Sequence, residues 1–154
     1  MFLKLLRIVG AVVAAIVVAM VLLIAVELFS AIVHPFPPDF AGTEAAICEH
    51  VARYPQWVLA AIVPMWAATA WVSTWLAGWL GGRGPAMGVA VLLMAAVLCN
   101  LSMLPYPLWF KIVQPIAIVI ALVYAYSLST PRSLNATQQA ATIEGGIKDS
   151  ERTD

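Results

Sequence analysis

Residues 8–29 read IVGAVVAAIVVAMVLLIAVELF, and this stretch decides the fold. Its first nineteen residues, 8–26, carry no charge, and Glu27 ends the run. As a helix rising about 1.5 Å per residue, a run of this length matches a hydrocarbon core about 30 Å thick. An ionisable group next to such a run is a candidate functional residue by default. Lys4 and Arg7 precede it as a signal-peptide n-region would, but the run exceeds the roughly 7–15 residues of a signal h-region. Leu28 and Phe29 also spoil the small-x-small cleavage patterns around Ser30 and Ala31. The expected element is a retained signal-anchor helix.

Composition extends the same reading to the whole chain. Of 154 residues, 63% are hydrophobic and 10% charged, against about 25% charged in soluble domains. So few charges cannot cover a water-exposed surface, and the lipid bilayer is the expected partner. Formal net charge is zero and no basic block could follow a phosphate backbone, which argues against nucleic-acid binding. Cys48 and Cys99 form neither a C-x-x-C pair nor a metal-ligand spacing. If both lie near the same boundary, a disulfide between them is conceivable in an oxidising compartment.

Four apolar segments, about 5–33, 56–80, 87–104 and 109–128, are each long enough to span a bilayer. Gly81, Gly82, Arg83, Gly84 and Pro85 form an expected turn between the second and third, and Pro105, Tyr106 and Pro107 another between the third and fourth. Short turns make neighbouring helices antiparallel. The fold class is therefore an all-α membrane protein, an antiparallel bundle of four transmembrane helices over residues 1–128. Residues 129–154 are a polar tail, expected to be disordered and cytoplasmic. A sequon at Asn135 would then never meet the glycosylation machinery.

Basic residues in the short flanks set orientation. Lys4, Arg7, Arg83 and Arg132 lie on one side, and Arg53 and Lys111 on the other. Both termini are expected in the cytoplasm, and the loop 34–55 outside. Within that loop Pro35, Pro37 and Pro38 forbid regular helix. Thr43 before Glu44 reads as an N-cap of a short helix, with Ile47 and Val51 on its apolar line. That helix is expected to lie on the outer membrane surface.

The helix faces suggest how the segments pack. Ala70, Thr74, Gly78 and Gly82 recur every four residues, and such small faces let backbones approach closely in lipid. The same face is a possible route to a homo-oligomer. Trp71, Trp75 and Trp79 form a second ridge, facing lipid or a neighbouring groove. Ala95, Ala96, Cys99 and Asn100, and Ala117, Ala121 and Ala125, offer small faces on the third and fourth segments.

Polar residues gather at one boundary. Glu27, His34, Arg53, Asn100, Lys111 and Gln114 all fall near the outer ends of the four segments. One reading is structural: Glu27 paired with Lys111 or Arg53, Lys111 snorkelling, and Asn100 bonding across helices. The other is a site for a headgroup, a small ligand or a proton. At the other end Thr69, Ser73 and Thr74 can bond their own helix carbonyls. No H-x-x-x-H or H-E-x-x-H spacing supports a metal, and no nucleophile elbow, P-loop or dinucleotide fingerprint points to a cofactor or an enzyme.

Glu27, His34-Pro35, Arg53-Tyr54-Pro55, the turn 78–84, Asn100 and Pro105-Tyr106-Pro107-Leu108-Trp109 occur in an order that resembles uncharacterised four-helix membrane proteins of bacteria. The resemblance covers residues 1 to about 128. It implies a bacterial inner-membrane location and brings no known activity. Small multidrug transporters also carry a glutamate in the first of four helices, but at mid-helix and before a short loop. The expected function is that of a non-enzymatic membrane component with a polar cluster at its outer face. The alternatives are a small transporter or proton-coupled carrier using Glu27, and an enzyme acting on a lipid or quinone headgroup through Glu27 and His34.

Overall fold

The structure, a computed structural model, describes residues 2–129. The tail expected to be disordered lies outside the described residues, apart from Ser129. All described elements are helices: α1 (Phe2–Val33), α2 (Glu44–Ala52), α3 (Gln56–Gly81), α4 (Arg83–Met103) and α5 (Leu108–Leu128). Four of them, α1, α3, α4 and α5, are long and apolar enough to cross a membrane.

The helix ends follow local chemistry. At the end of α1 the His34 N–H reaches the Ser30 carbonyl at 2.8 Å, and Pro35 prevents another turn. Thr43 caps α2 as expected, its Oγ1 accepting from the Ala46 N–H at 3.3 Å. The turn between α3 and α4 is tighter than the sequence suggests. Gly82 alone makes it, at a φ of 88° that disfavours any side chain. Pro85 lies inside the first turn of α4, where an N–H has no helical partner to lose.

α3 is the central helix, packed against α1, α4 and α5. Of its most apolar eighteen residues 44% are buried, against 17% in α1, which packs along one side. Arg7 Nε donates to the Leu80 carbonyl at 2.6 Å, while Ser30 Oγ and Tyr54 Oη meet at 2.7 Å at the opposite end. α1 and α3 therefore run in opposite directions. These contacts also define two ends, a turn end at Gly82 and a cap end at α2. At the cap end the Trp109 indole donates to Gln56 Oε1 at 2.5 Å, tying α5 to α3.

Small residues set the spacing at the turn end. A Cβ on Gly81 would lie 2.8 Å from Ala11 Cβ and 2.6 Å from Pro85 Cγ. A Cβ on Gly78 would strike the Ser129 side chain and sit 3.3 Å from Ala86 Cβ. Ala70, Thr74 and Gly78 are buried. Of the small face Ala70, Thr74, Gly78 and Gly82, the first three are thus covered within the chain and Gly82 is open.

Several expectations need correction. α4 buries Val89, Val97 and Leu101 rather than its small face, and Ala95, Ala96 and Cys99 are exposed. Its larger β-branched and leucine side chains fill the space beside α3 that its alanines cannot. Thr69 bonds back to the Met65 carbonyl at 3.0 Å, but the buried Ser73 and Thr74 hydroxyls have no partner. Cys48 and Cys99 are both free. The tryptophan ridge does form, with Trp71, Trp75 and Trp79 stacked at 6.2 and 6.3 Å, and Trp79 faces outward, 53% exposed.

This packing predicts opposite outcomes for adjacent residues. Gly78→Leu forces α3 away from α4 and α5, and overpacking of this kind costs about 1–3 kcal/mol. Trp79→Leu alters only an outward face. Melting of the purified chain in detergent should fall clearly for Gly78→Leu and stay close to wild type for Trp79→Leu; the reverse order would show the face of α3 to be misassigned.

Candidate functional site

The six polar residues singled out from the sequence do not form one cluster. Two of them, Glu27 and Asn100, line a cavity of about 240 Å³ that is walled by all four long helices. Ala70 and Ala96 leave this space because they project only a methyl group where larger side chains would close it. Leu23, Leu93 and Val97 make most of the wall, and Trp66 and Thr69 join Glu27 and Asn100 as its polar residues. The volume equals that of about eight waters in the liquid.

The polar chemistry of the cavity is incomplete. Asn100 Oδ1 and Trp66 Nε1 are both buried without a hydrogen-bond partner. Glu27 is exposed, and among the described residues no cation lies within ion-pairing distance of it. Arg53 instead pairs with Glu49 one turn away on α2, at 2.5 Å and in the open. Lys111 is on α5, which does not pack against α1. The pairing of Glu27 with Lys111 or Arg53 suggested by the sequence is therefore not made. A phenol, rather than a cation, feels the Glu27 charge. Tyr106, in the link between α4 and α5, has its pKa pushed up to about 12 by burial, then by the neighbouring Tyr54 and Glu27.

The other three residues lie elsewhere. Gln114 is fully buried, on the α5 face that also carries Phe110 and Ile118, and neither its Oε1 nor its Nε2 has a partner. Lys111 is half-buried near the start of α5. His34 belongs to an aromatic cap that the sequence did not reveal. Its ring stacks on His50 at 4.4 Å and touches Tyr54 at 4.8 Å. Phe36 covers the other side of His50 at 4.3 Å. Glu27 and His34 thus serve different structures, and His34 is not part of the cavity wall. No group of three or more His, Cys, Asp or Glu residues among those described could hold a metal ion.

Trp66 and the tyrosines Tyr54 and Tyr106 were not singled out from the sequence as site residues. Thr69 was expected at the end opposite Glu27 and Asn100, but it lines the same cavity as both. One signal was available: Trp66, Thr69 and Ala70 recur at i, i+3, i+4 and so share a face of α3.

No protein-family model matches the chain, and no match was found among curated proteins or solved structures. The class supported is the coarse one, an all-helical chain with four helices able to cross a membrane.

The aromatic cap makes stability sensitive to acid. Burial holds the His50 imidazole below the usual histidine pKa, and the neighbouring His34 adds to this, while a hydrogen bond to the His34 backbone pulls the other way. As pH falls through the unfolded value near 6.5, the unfolded chain takes up a proton that the folded chain resists. Stability should be level above about pH 7, decline as pH drops through about 6.5, and level off again below the folded pKa. Melting in detergent from pH 8 to pH 5 checks this, and His50→Phe should flatten the decline while keeping the stacking with Phe36.

Proposed function

We propose that the chain is a bacterial inner-membrane protein with four transmembrane helices in an antiparallel bundle, the cap end outside and both termini in the cytoplasm. In this reading it is a non-enzymatic component that holds an amphipathic ligand in its outer half. One observation carries the proposal: a largely apolar cavity in which Asn100 Oδ1 and Trp66 Nε1 lack partners and Glu27 lacks a counter-charge. In hydrocarbon each unsatisfied polar group costs several kcal/mol, so a ligand able to bond them is strongly favoured. The volume suits a short stretch of alkyl chain, with a polar or cationic head at Glu27. α1 packs only lightly against α4, and this seam is the natural entrance from the lipid. The absence of Glu27 and His34 from one shared cavity weighs against the headgroup enzyme.

A carrier is the second reading, favoured by one observation. The buried and partnerless hydroxyls of Ser73 and Thr74 continue from Thr69 along α3 towards the turn end. Proton flux in liposomes that stops with Glu27→Gln would select this reading over passive binding.

Two measurements test the main proposal. In a background with Cys48→Ser and Cys99→Ser, a cysteine at Asp39 should label from outside intact cells and one at Ser150 should not. Labelling of Ser150 from outside would reverse the topology. Native mass spectrometry of the chain extracted from membranes should show a retained adduct, weakened by Glu27→Gln and lost in Ala96→Phe, which fills the cavity from an exposed position. An adduct unchanged by either substitution would remove the cavity from the function.

A further inference from the structure

The turn end carries a second recess, about 810 Å³, between the start of α1 and the end of α3. Glycines give it depth. A Cβ on Gly10 or Gly82 would meet nothing within 4 Å, so the space above both is open, while Gly81 lets Ala11 approach closely beneath. Lys4, Arg7 and Trp79 stand around this floor.

Among the described residues nothing neutralises the cations there. Arg7 spends its Nε–H on the Leu80 carbonyl at 2.6 Å. That bond holds the guanidinium over the end of α3, and its terminal amino groups have no carboxylate partner among the described residues. Lys4 lies three residues earlier, hence on the same side of α1. Every described carboxylate, Glu27, Asp39, Glu44 and Glu49, belongs to the cap half of the chain. A preset guanidinium fork beside an ammonium is suited to the oxygens of a phosphate, the first by paired hydrogen bonds and the second as a point charge. Trp79 supplies an amphipathic ring at the rim, and the exposed apolar face of α1, with Val9 and Val13, runs on from the recess.

We propose that this recess binds the headgroup phosphate of an anionic phospholipid, Arg7 and Lys4 taking the phosphate while the acyl chains lie along α1. The inference rests on the membrane reading above, with the turn end at the cytoplasmic headgroups, where anionic lipids attract basic clusters. It is independent of the ligand cavity in the other half.

The test uses the full chain in neutral detergent. Native mass spectrometry with phosphatidylglycerol and with phosphatidylcholine should show a preference for the anionic lipid of about tenfold or more. Lys4→Gln with Arg7→Gln should abolish the preference. Lys4→Gln alone should reduce it while keeping the Arg7–Leu80 bond, so the result stands even if the double variant folds poorly. Gly10→Leu, placed in open space, should block binding without changing charge. Glu27→Gln should leave the preference intact, which separates this site from the outer cavity. Labelling that places the turn end outside would overturn the membrane orientation, while the lipid preference would still report on the recess itself. Equal binding of the two lipids, a preference surviving the double substitution, or equal stabilisation by inorganic phosphate alone would each overturn the proposal.

Discussion

In an apolar solvent, helices gain nothing by hiding apolar side chains from one another, so they associate where small side chains let their backbones meet. α3 satisfies that condition. Gly81 approaches Ala11 of α1, and Gly78 approaches Ala86 of α4 and Ser129 just beyond α5. Three neighbours converge on one helix within a single turn. Larger side chains are displaced from this contact, and the stacked indoles of Trp71, Trp75 and Trp79 run along a different side of α3. Further towards the cap end, where the spacing set by the glycines no longer acts, the helices leave the space lined by Trp66, Thr69 and Asn100. The cavity is a consequence of tight packing at one end and looser packing at the other.

The cap end is built on a different principle. Its contacts are aromatic rings and short polar bonds: His34 on His50, Phe36 on His50, and Ser30 to Tyr54. Rings with polar edges suit a boundary between apolar and wet surroundings. This cap closes over the end of α1, about two turns beyond Glu27. Among the described residues Glu27 has no cation partner, and the Tyr106 phenol feels its charge.

Much of the architecture was legible in the sequence because it depends on one-dimensional quantities. Uninterrupted apolar length gave the four long helices, and Thr43 followed by Glu44 gave α2 with its cap. The α3–α4 turn was read too long because Gly84 and Pro85 look like loop residues, yet both fit a first helical turn. The site was legible in height but not in direction. Counting residues places Glu27, His34, Arg53, Asn100, Lys111 and Gln114 near the same ends of their segments, and that is all it can do. Which of them share a cavity depends on how each helix is rotated, and rotation is fixed by contacts such as Gly81 with Ala11. The α4 face was misread for a related reason: a rule that favours small residues at interfaces cannot see that Val97 and Leu101 join the core cluster of the cap half, while Val89 packs on Ala15 and Ala77.

Chain connectivity carries one more consequence. α3 and α4 are joined through Gly82 alone, and α4 and α5 through residues 104–107. These three helices are short-coupled. α1 is joined to them through residues 34–55, a far longer tether that includes α2. It touches them along one side, pinned at one end by Arg7 to Leu80 and at the other by Ser30 to Tyr54. Between those two bonds α1 lies along α3, its main neighbour. Of the two α1 residues that line the cavity, Leu23 and Glu27, Glu27 is the closer in sequence to the Ser30–Tyr54 bond, so that bond fixes the carboxylate's place against the wall formed by α3, α4 and α5.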